Sequence, residues 1–428
     1  MEGALATSVN LPWGFVFATG LECSYPTIRT PEGKTKRMDE LEKTFHYQRW
    51  REDLHLVRDL GLRYLRYGPP YYRMHLGPKS YDFEFNDLVF AEMQRLGIVP
   101  IVDLCHFGVP DWVGDFQNPE WPEWFAQYAR DFAARYPWVQ FYTPINEIYV
   151  CAKFSTLFGL WNERRKNDHR AFVTAIKHMC RANLLAVREI LRVRSDAIFV
   201  QSESAEHYHR GGYDPVTDDR VNFENQLRFI SLDLVYSVRP CADVCLYLLD
   251  NGMTRDEFHW FMNHGLGDRI IMGNDFYVHN ESIVLPGGDT QPIGEVFGWA
   301  IITNQYFERY RRPVMHTETN YPNEKQAPHW LWKQFFNVRY LRRAGVPVLG
   351  FTWYCLVDQV DWNSALSQDN GTVNPVGLYD LNRKIRPVGL AYRDLVQNFQ
   401  TEPLLPRSSV LGFFEGATPH EIEQRRAA

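Results

Sequence analysis

Short apolar runs alternate with longer amphipathic segments along nearly the whole chain. Runs that are apolar on both faces read as parallel strands covered on two sides. Eight occur, at Trp13–Thr19, Arg63–Tyr67, Val99–His106, Gln140–Glu147, Ala197–Ser204, Arg269–Tyr277, Pro313–Glu318 and Val346–Tyr354. Between them, apolar positions recur with helical spacing. Thr35–Leu60 carries Met38, Leu41, Phe45, Trp50, Leu54 and Val57, and Leu88–Leu96 stops at Gly97. Trp121–Tyr136 opens with Pro122 in its first turn and ends before Pro137. His169–Val193, Val221–Ser237, Gly294–Tyr310, Ala327–Ala344 and Pro387–Phe399 complete the set, with an extra helical excursion at Asp250–Gly267. Strand and helix alternating eight times predict a closed parallel barrel, the α/β (β/α)8 or TIM barrel, as one domain over residues 1–400. The tail, 401–428, is rich in Pro, Ser, Glu and Arg and is expected to cap the barrel or be disordered. An open doubly wound sheet would want a glycine-rich phosphate loop, and neither G-x-G-x-x-G nor G-x-x-x-x-G-K-[ST] occurs.

Length and charge narrow the function classes. A chain of 428 residues is large for one domain, but α/β barrels run to this size and bury enough surface to fold without disulfides or structural metal. The formal net charge of −6 gives no electrostatic case for nucleic acid or an anionic membrane as partner. Seven cysteines are scattered, and only Cys241 and Cys245 lie close, so no zinc-site spacing arises and reduced thiols in the cytoplasm are expected. The N-terminal residues lack a basic region followed by an apolar run, and no stretch of eighteen apolar residues exists. Aromatic residues make up 15% of the chain, enough for a large core and for some rings to face the apolar C–H faces of a sugar.

In a parallel barrel the chemistry gathers where strands end. Polar groups fall there on six strands: Arg66; Asp103 and His106; Asn146 and Glu147; Asn274, Asp275 and Tyr277; His316 and Glu318; Trp353 and Asp358. The first and fifth strands offer none. Glu147 and Glu318, on the fourth and seventh strands, lie across the barrel from one another. Cleavage of a glycosidic bond passes through a sugar cation and wants one carboxylic acid to protonate the leaving oxygen and one carboxylate on the other face of the ring. Arg66 is placed to keep one of them charged, and Asn146 to bond a sugar 2-hydroxyl. Singly, a Glu at a strand end is most often a solvated or ion-paired loop residue, a lone His106 a core histidine, and Trp353 or Trp362 packing. Their co-location on strand ends favours a shared site.

These residues also form motifs. Leu11-Pro12-Trp13-Gly14-Phe15-Val16-Phe17-Ala18-Thr19-Gly20, Tyr64-Leu65-Arg66-Tyr67, Asp103-Leu104-Cys105-His106-Phe107, Thr143-Pro144-Ile145-Asn146-Glu147, Asp275-Phe276-Tyr277, His316-Thr317-Glu318-Thr319-Asn320, and Trp353 with Asp361-Trp362 occur in that order. Together they resemble the family 1 glycoside hydrolases, the β-glucosidase family, from about Leu11 to Tyr392. The resemblance implies retention, with Glu147 as acid/base and Glu318 as nucleophile. It also implies Arg66 and Tyr277 against the nucleophile, and His106, Asn146, Trp353, Asp361 and Trp362 around the sugar. No cofactor or metal is implied, and the partner is a small-molecule or oligosaccharide glycoside.

Several positions depart from the family pattern. Glu22 or Cys23 stands where the family has a sugar-binding Gln, Phe107 replaces Trp, Ile148 replaces Pro, and Asp361 replaces Glu with one extra residue after Trp353. Glu22 and Asp361 are thus expected to reshape the contacts to the terminal sugar. No basic cluster marks a sugar 6-phosphate. A transglycosidase on the same site and a non-catalytic sugar-binding barrel are the alternatives. The loops Phe154–Asn167, with Trp161, and Tyr208–Asp219 are expected to shape the leaving-group side.

Overall fold

A computed structural model describes residues 15–267 and 270–399. Trp13 and Gly14, the expected start of the first strand, Arg269 and the tail from Thr401 lie outside the described residues. Eight parallel strands close a barrel: β1 (Val16–Leu21), β2 (Tyr64–Tyr67), β3 (Val99–Asp103), β4 (Phe141–Thr143), β5 (Ile198–Ser204), β6 (Ile270–Asp275), β7 (Val314–His316) and β8 (Val348–Trp353). Each pairs with its sequence neighbours, and β8 returns to β1 through Val16 opposite Gly350. All eight expected strands are present. Most end earlier than the apolar runs suggested, because the polar residues that follow belong to the rim loops.

The helices on the outside are α1 (His46–Asp59), α2 (Glu84–Leu96), α3 (Trp121–Arg135), α4 (Ile148–Thr156), α5 (His169–Val193), α6 (Pro215–Leu227), α7 (Ile230–Tyr236), α8 (Ala242–Asp250), α9 (Arg255–Asn263), α10 (Gly298–Tyr310), α11 (Ala327–Arg343) and α12 (Pro387–Phe399). The segment Thr35–Leu60 is not one helix. Thr35–Arg37 pairs with Thr27–Arg29 in a hairpin, and Phe45, at φ 61°, breaks the chain before α1. The segment expected as Val221–Ser237 divides into α6 and α7. α4 was not expected at all. It is buried on nearly every side, so it has no polar stripe to give it a visible period.

The two-residue period of the strands builds the site. Tyr64, Ile101, Val200 and Ile271 face into the barrel and pack with Val16, Ala18, Phe141, Ile198, Met315 and Leu349 as its apolar floor. Two residues further along the same strands the same face presents Arg66, Asp103, Ser202 and Gly273, and on β6 Asp275 follows. Gly273 has no room for a side chain: a Cβ there would sit 2.7 Å from the Thr317 hydroxyl. Residues of the other parity, such as Leu65, Phe199, Met272 and Val314, pack outward against the helices. One alternation thus gives an apolar bottom, a polar top and a helix-facing exterior.

Candidate active site

The polar top centres on Arg66, which is fully buried. Its guanidinium pairs with Glu318, donates to the Asn146 Oδ1 at 2.8 Å and lies 3.4 Å from the Asp103 carboxylate. Asp103 in turn holds the His106 Nδ1 at 2.7 Å, and Asn146 Nδ2 meets the His106 Nε2 at 3.3 Å. Tyr277 donates its hydroxyl to the other Glu318 oxygen at 2.7 Å. Glu318 therefore accepts from a guanidinium on one oxygen and a phenol on the other, which fixes its orientation and favours its charged form.

Glu147 is held by other means. Its backbone amide donates to the Ser202 carbonyl at 3.0 Å, and its left-handed backbone (φ 40°) turns the chain from β4 into α4. The first amides of α4 have no cap from Glu147 itself. Glu203, one residue beyond Ser202 and so on the outer face of β5, supplies it. Its two oxygens accept from the Ile148 and Tyr149 amides at 3.0 and 3.3 Å.

The environments drive the two carboxyls in opposite directions. Burial raises the Glu147 pKa well above the carboxylate range, and the acidic neighbours Asp275, Glu318, Glu203 and Glu206 push it in the same direction. Burial also acts to raise Glu318, but Arg66 first, then His106, Tyr277 and Glu22, outweigh it and leave its pKa below the usual value. Asp275, which accepts from the Ser202 hydroxyl at 2.6 Å, is raised by burial and then by Glu318. At neutral pH this leaves one acid and one carboxylate facing one space.

That space is a cavity of about 400 Å³ lined by His106, Glu147, Tyr277, Glu318 and Trp362, all expected from sequence. Phe107, Phe154 and Trp161 form an aromatic wall, with Trp161 at 4.7 Å from each of the other two rings. Residues that sequence reasoning missed also line it: Ser204 at the end of β5 and Glu206 after it, Asn320 after β7, and Tyr354 and Gln359 after β8. The fifth strand thus does contribute to the rim. Ser204 was findable, since it continues the inward parity of Val200 and Ser202. Gln359 and Tyr354 gave no such signal, because the loop after β8 has no period.

Other expected residues do not line the cavity. Arg66, Asn146 and Glu22 stand behind its wall, and Asn146 has its oxygen and nitrogen occupied by Arg66 and His106. Trp353 is fully buried and spends its indole N–H on the Val376 carbonyl at 3.0 Å. Asp361 is bound by Lys43 at 2.9 Å and by the Asn370, Gly371 and Thr372 amides, so it shapes its own loop. His316 faces outward and stacks on Trp299, and Asp358 holds Arg386 and the Gly377 amide. Glu22, Asp103 and His106 offer atoms within 4.8 Å of one another, a spacing that suits a cation, but the Arg66 guanidinium already stands there, 2.9 Å from Glu22.

Comparison with known proteins agrees with this architecture. The model for glycosyl hydrolase family 1 matches residues 28–230. The 6-phospho-beta-glucosidase AscB of Escherichia coli (strain K12) is 31% identical over 159 residues, 34% of this chain and 33% of that protein. Beta-glucosidase A of Thermotoga maritima is 28% identical over 156 residues. The alignments thus span about a third of these two relatives' length, 33% and 34%. A longer alignment joins the chain to the aryl-phospho-beta-D-glucosidase BglA of Bacillus subtilis (strain 168), 30% identical over 374 residues, 74% of this chain and 77% of that one. Among solved structures, the family 1 β-glucosidase from Thermotoga maritima superposes with a TM-score of 0.75 at 17% identity, covering 92% of this chain and 100% of that one. The long alignment and the shared barrel, with a match to the family model over residues 28–230, place the chain in glycosyl hydrolase family 1.

Proposed function

We propose that the protein is a retaining β-glycosidase that hydrolyses neutral β-glycosides by double displacement, with Glu318 as nucleophile and Glu147 as acid/base. The observation that carries this is the pair of carboxyls on one cavity whose surroundings push their pKa values apart. In the first step a Glu318 oxygen bonds to the anomeric carbon while the bond to the aglycone oxygen breaks, and that oxygen takes the Glu147 proton. In the second, Glu147, now a carboxylate, takes a proton from water as the water oxygen attacks the same carbon and the ester to Glu318 breaks. Arg66 and Tyr277 hold the nucleophile's charge and angle before reaction. His106, Trp362 and the aromatic wall of Phe107, Phe154 and Trp161 offer contacts for the sugar and its leaving group.

Two of the relatives carry phospho-glucosidase names, yet no Lys or Arg is among the described residues that line this cavity. Glu147, Glu206 and Glu318 line it instead, none of them a cationic partner for a phosphate, and the charged Glu318 would repel one. A neutral sugar therefore fits better. The intact carboxyl pair weighs against a purely sugar-binding barrel, and no contact favours an acceptor other than water. No helix among the described residues is long and apolar enough to cross a membrane. All seven cysteines are free, which supports a reducing compartment such as the cytoplasm.

The test is hydrolysis of matched aryl β-glycosides and their 6-phosphates, with the first-formed sugar anomer read by NMR. The reading expects β-product from the neutral substrates and little turnover of the phosphates. Initial α-product, or a preference for the phosphates, would overturn it.

A further inference from the structure

Glu22 occupies the position where a sugar ligand was expected, but its surroundings are those of a different part. It is 2% exposed and does not line the cavity. Tyr354, the residue after Trp353, does line it and stands beside Glu22: a Cβ built on Gly20 would meet the Tyr354 ring at 2.6 Å and the Glu22 Oε1 at 2.9 Å. Ring and carboxyl thus close over the same backbone atom, and the ring is the one that faces the cavity. Gln359 fixes that ring through a bond from its Nε2 to the Tyr354 hydroxyl at 2.9 Å.

On its other side Glu22 meets the nucleophile. Its Oε1 lies 2.9 Å from the same Arg66 nitrogen that binds Glu318, so the two carboxyls stand side by side against one guanidinium nitrogen. The groups facing Glu22 are Arg66, Glu318, Asp103, His106, Tyr354 and Cys355. Glu22, Asp103 and Glu318 share the single Arg66 cation, with Asp103 also held by His106. Neither Glu22 oxygen receives a hydrogen bond. An ionised carboxylate in that place would be buried, unsolvated and next to a like charge, whereas a carboxylic acid has an O–H to give.

We propose that Glu22 is a positioning residue, a carboxylic acid whose O–H donates to the Glu318 carboxylate from behind the cavity wall, and that contact with the sugar in this corner passes to Tyr354 and Gln359. This rests on the reading of Glu318 as nucleophile. The titration directions agree with the geometry. Burial, then the neighbouring acids, raise Glu22 well above the carboxylate range against the pull of Arg66, while the bond from Glu22 is among the influences that lower Glu318.

The experiment compares wild type, Glu22→Gln and Glu22→Leu in the pH profile of kcat/KM on an aryl β-glycoside. Its acid limb reports the nucleophile in the free enzyme. The Gln variant keeps an N–H donor, so its acid limb stays in place and its plateau falls by less than about tenfold. The Leu variant loses the donor, so its limb moves up by about one pH unit and kcat falls while KM holds. If both variants raise KM and leave the limb in place, Glu22 is a sugar ligand and the proposal fails. A second measurement needs neither activity nor the Leu variant: the infrared difference spectrum of wild type minus Glu22→Gln at neutral pH. A carbonyl band of a protonated carboxyl supports the proposal, and a carboxylate band in its place overturns it. Wild type that cleaves no glycoside while showing the protonated band would overturn the glycosidase reading alone.

Discussion

At the scale of single residues, the site works by unequal treatment of like groups. Glu318 has two donors, a phenol and a buried guanidinium, while Glu147 has burial and acidic neighbours. Removing one donor from Glu318 should therefore act through its pKa. Tyr277→Phe is expected to raise the acid limb of kcat/KM and to lower activity at its foot by about tenfold, the value of one hydrogen bond to a charged group. The coupling also runs the other way. Because Glu318 is one of the charges that raise Glu147, neutralising it in Glu318→Gln should lower the Glu147 pKa, readable by carbon NMR titration of labelled glutamate carboxyls. An unchanged Glu147 would mean that the two carboxyls do not sense each other. Much of this level was legible in the sequence, because Arg66, His106, Glu147, Tyr277 and Glu318 sit on or just beyond strands whose apolar runs announce them. The places of Trp353 and Asp361 outside the cavity lining were not legible, because their partners, the Val376 carbonyl and Lys43, are distant in sequence and such pairs leave no local pattern.

At the scale of elements, the turn from β4 into α4 is the critical joint. Glu147 ends one and begins the other, and α4 relies on Glu203 of β5 for its first two amides. Burial sets the Glu203 pKa at about 8, so near neutral pH it is largely uncharged and serves the amides mainly as an acceptor. Glu203→Ala leaves those amides without a partner and frees Glu147 to shift. A displacement of about 1 Å in a catalytic group costs about 10²-fold, and the loss should concentrate in kcat for poor leaving groups, which need the acid. Substrates with a good leaving group should be hit much less in the step that releases it, and equal losses on both would contradict the joint's role. Neither α4 nor this contact was legible. A helix buried all round shows no amphipathic stripe, and Glu203 has the outward parity of a structural residue. The break of the Thr35–Leu60 segment at Phe45 escaped for a related reason, since a left-handed residue interrupts a helix without disturbing its apolar spacing.

At the scale of the whole molecule, eight strands and their inward and outward faces follow from apolar runs and a two-residue alternation, which is why the barrel was readable from end to end. The same enclosure that sharpens the site strains the fold electrostatically. Glu40 accepts from the Val360 amide at 2.6 Å, and burial sets its pKa at about 8, against about 4.3 in an unfolded chain. The folded state thus holds a proton that the unfolded state has lost, so stability falls as pH rises from about 4.3 to 8. Glu40→Gln, which keeps the acceptor without the charge, should be more stable than wild type above pH 8 by roughly 1 kcal/mol or more, with no such gain at pH 4, as read by denaturant titration. The division of labour between the two carboxyls is tested most directly by adding azide, a nucleophile that needs no acid or base, to Glu318→Ala and Glu147→Ala acting on an activated aryl β-glycoside. Double displacement predicts α-glycosyl azide from Glu318→Ala, by direct attack from the vacated face, and β-glycosyl azide from Glu147→Ala, through the Glu318 ester. β-Azide from Glu318→Ala, or rescue of neither variant, would contradict Glu318 as nucleophile and Glu147 as acid/base.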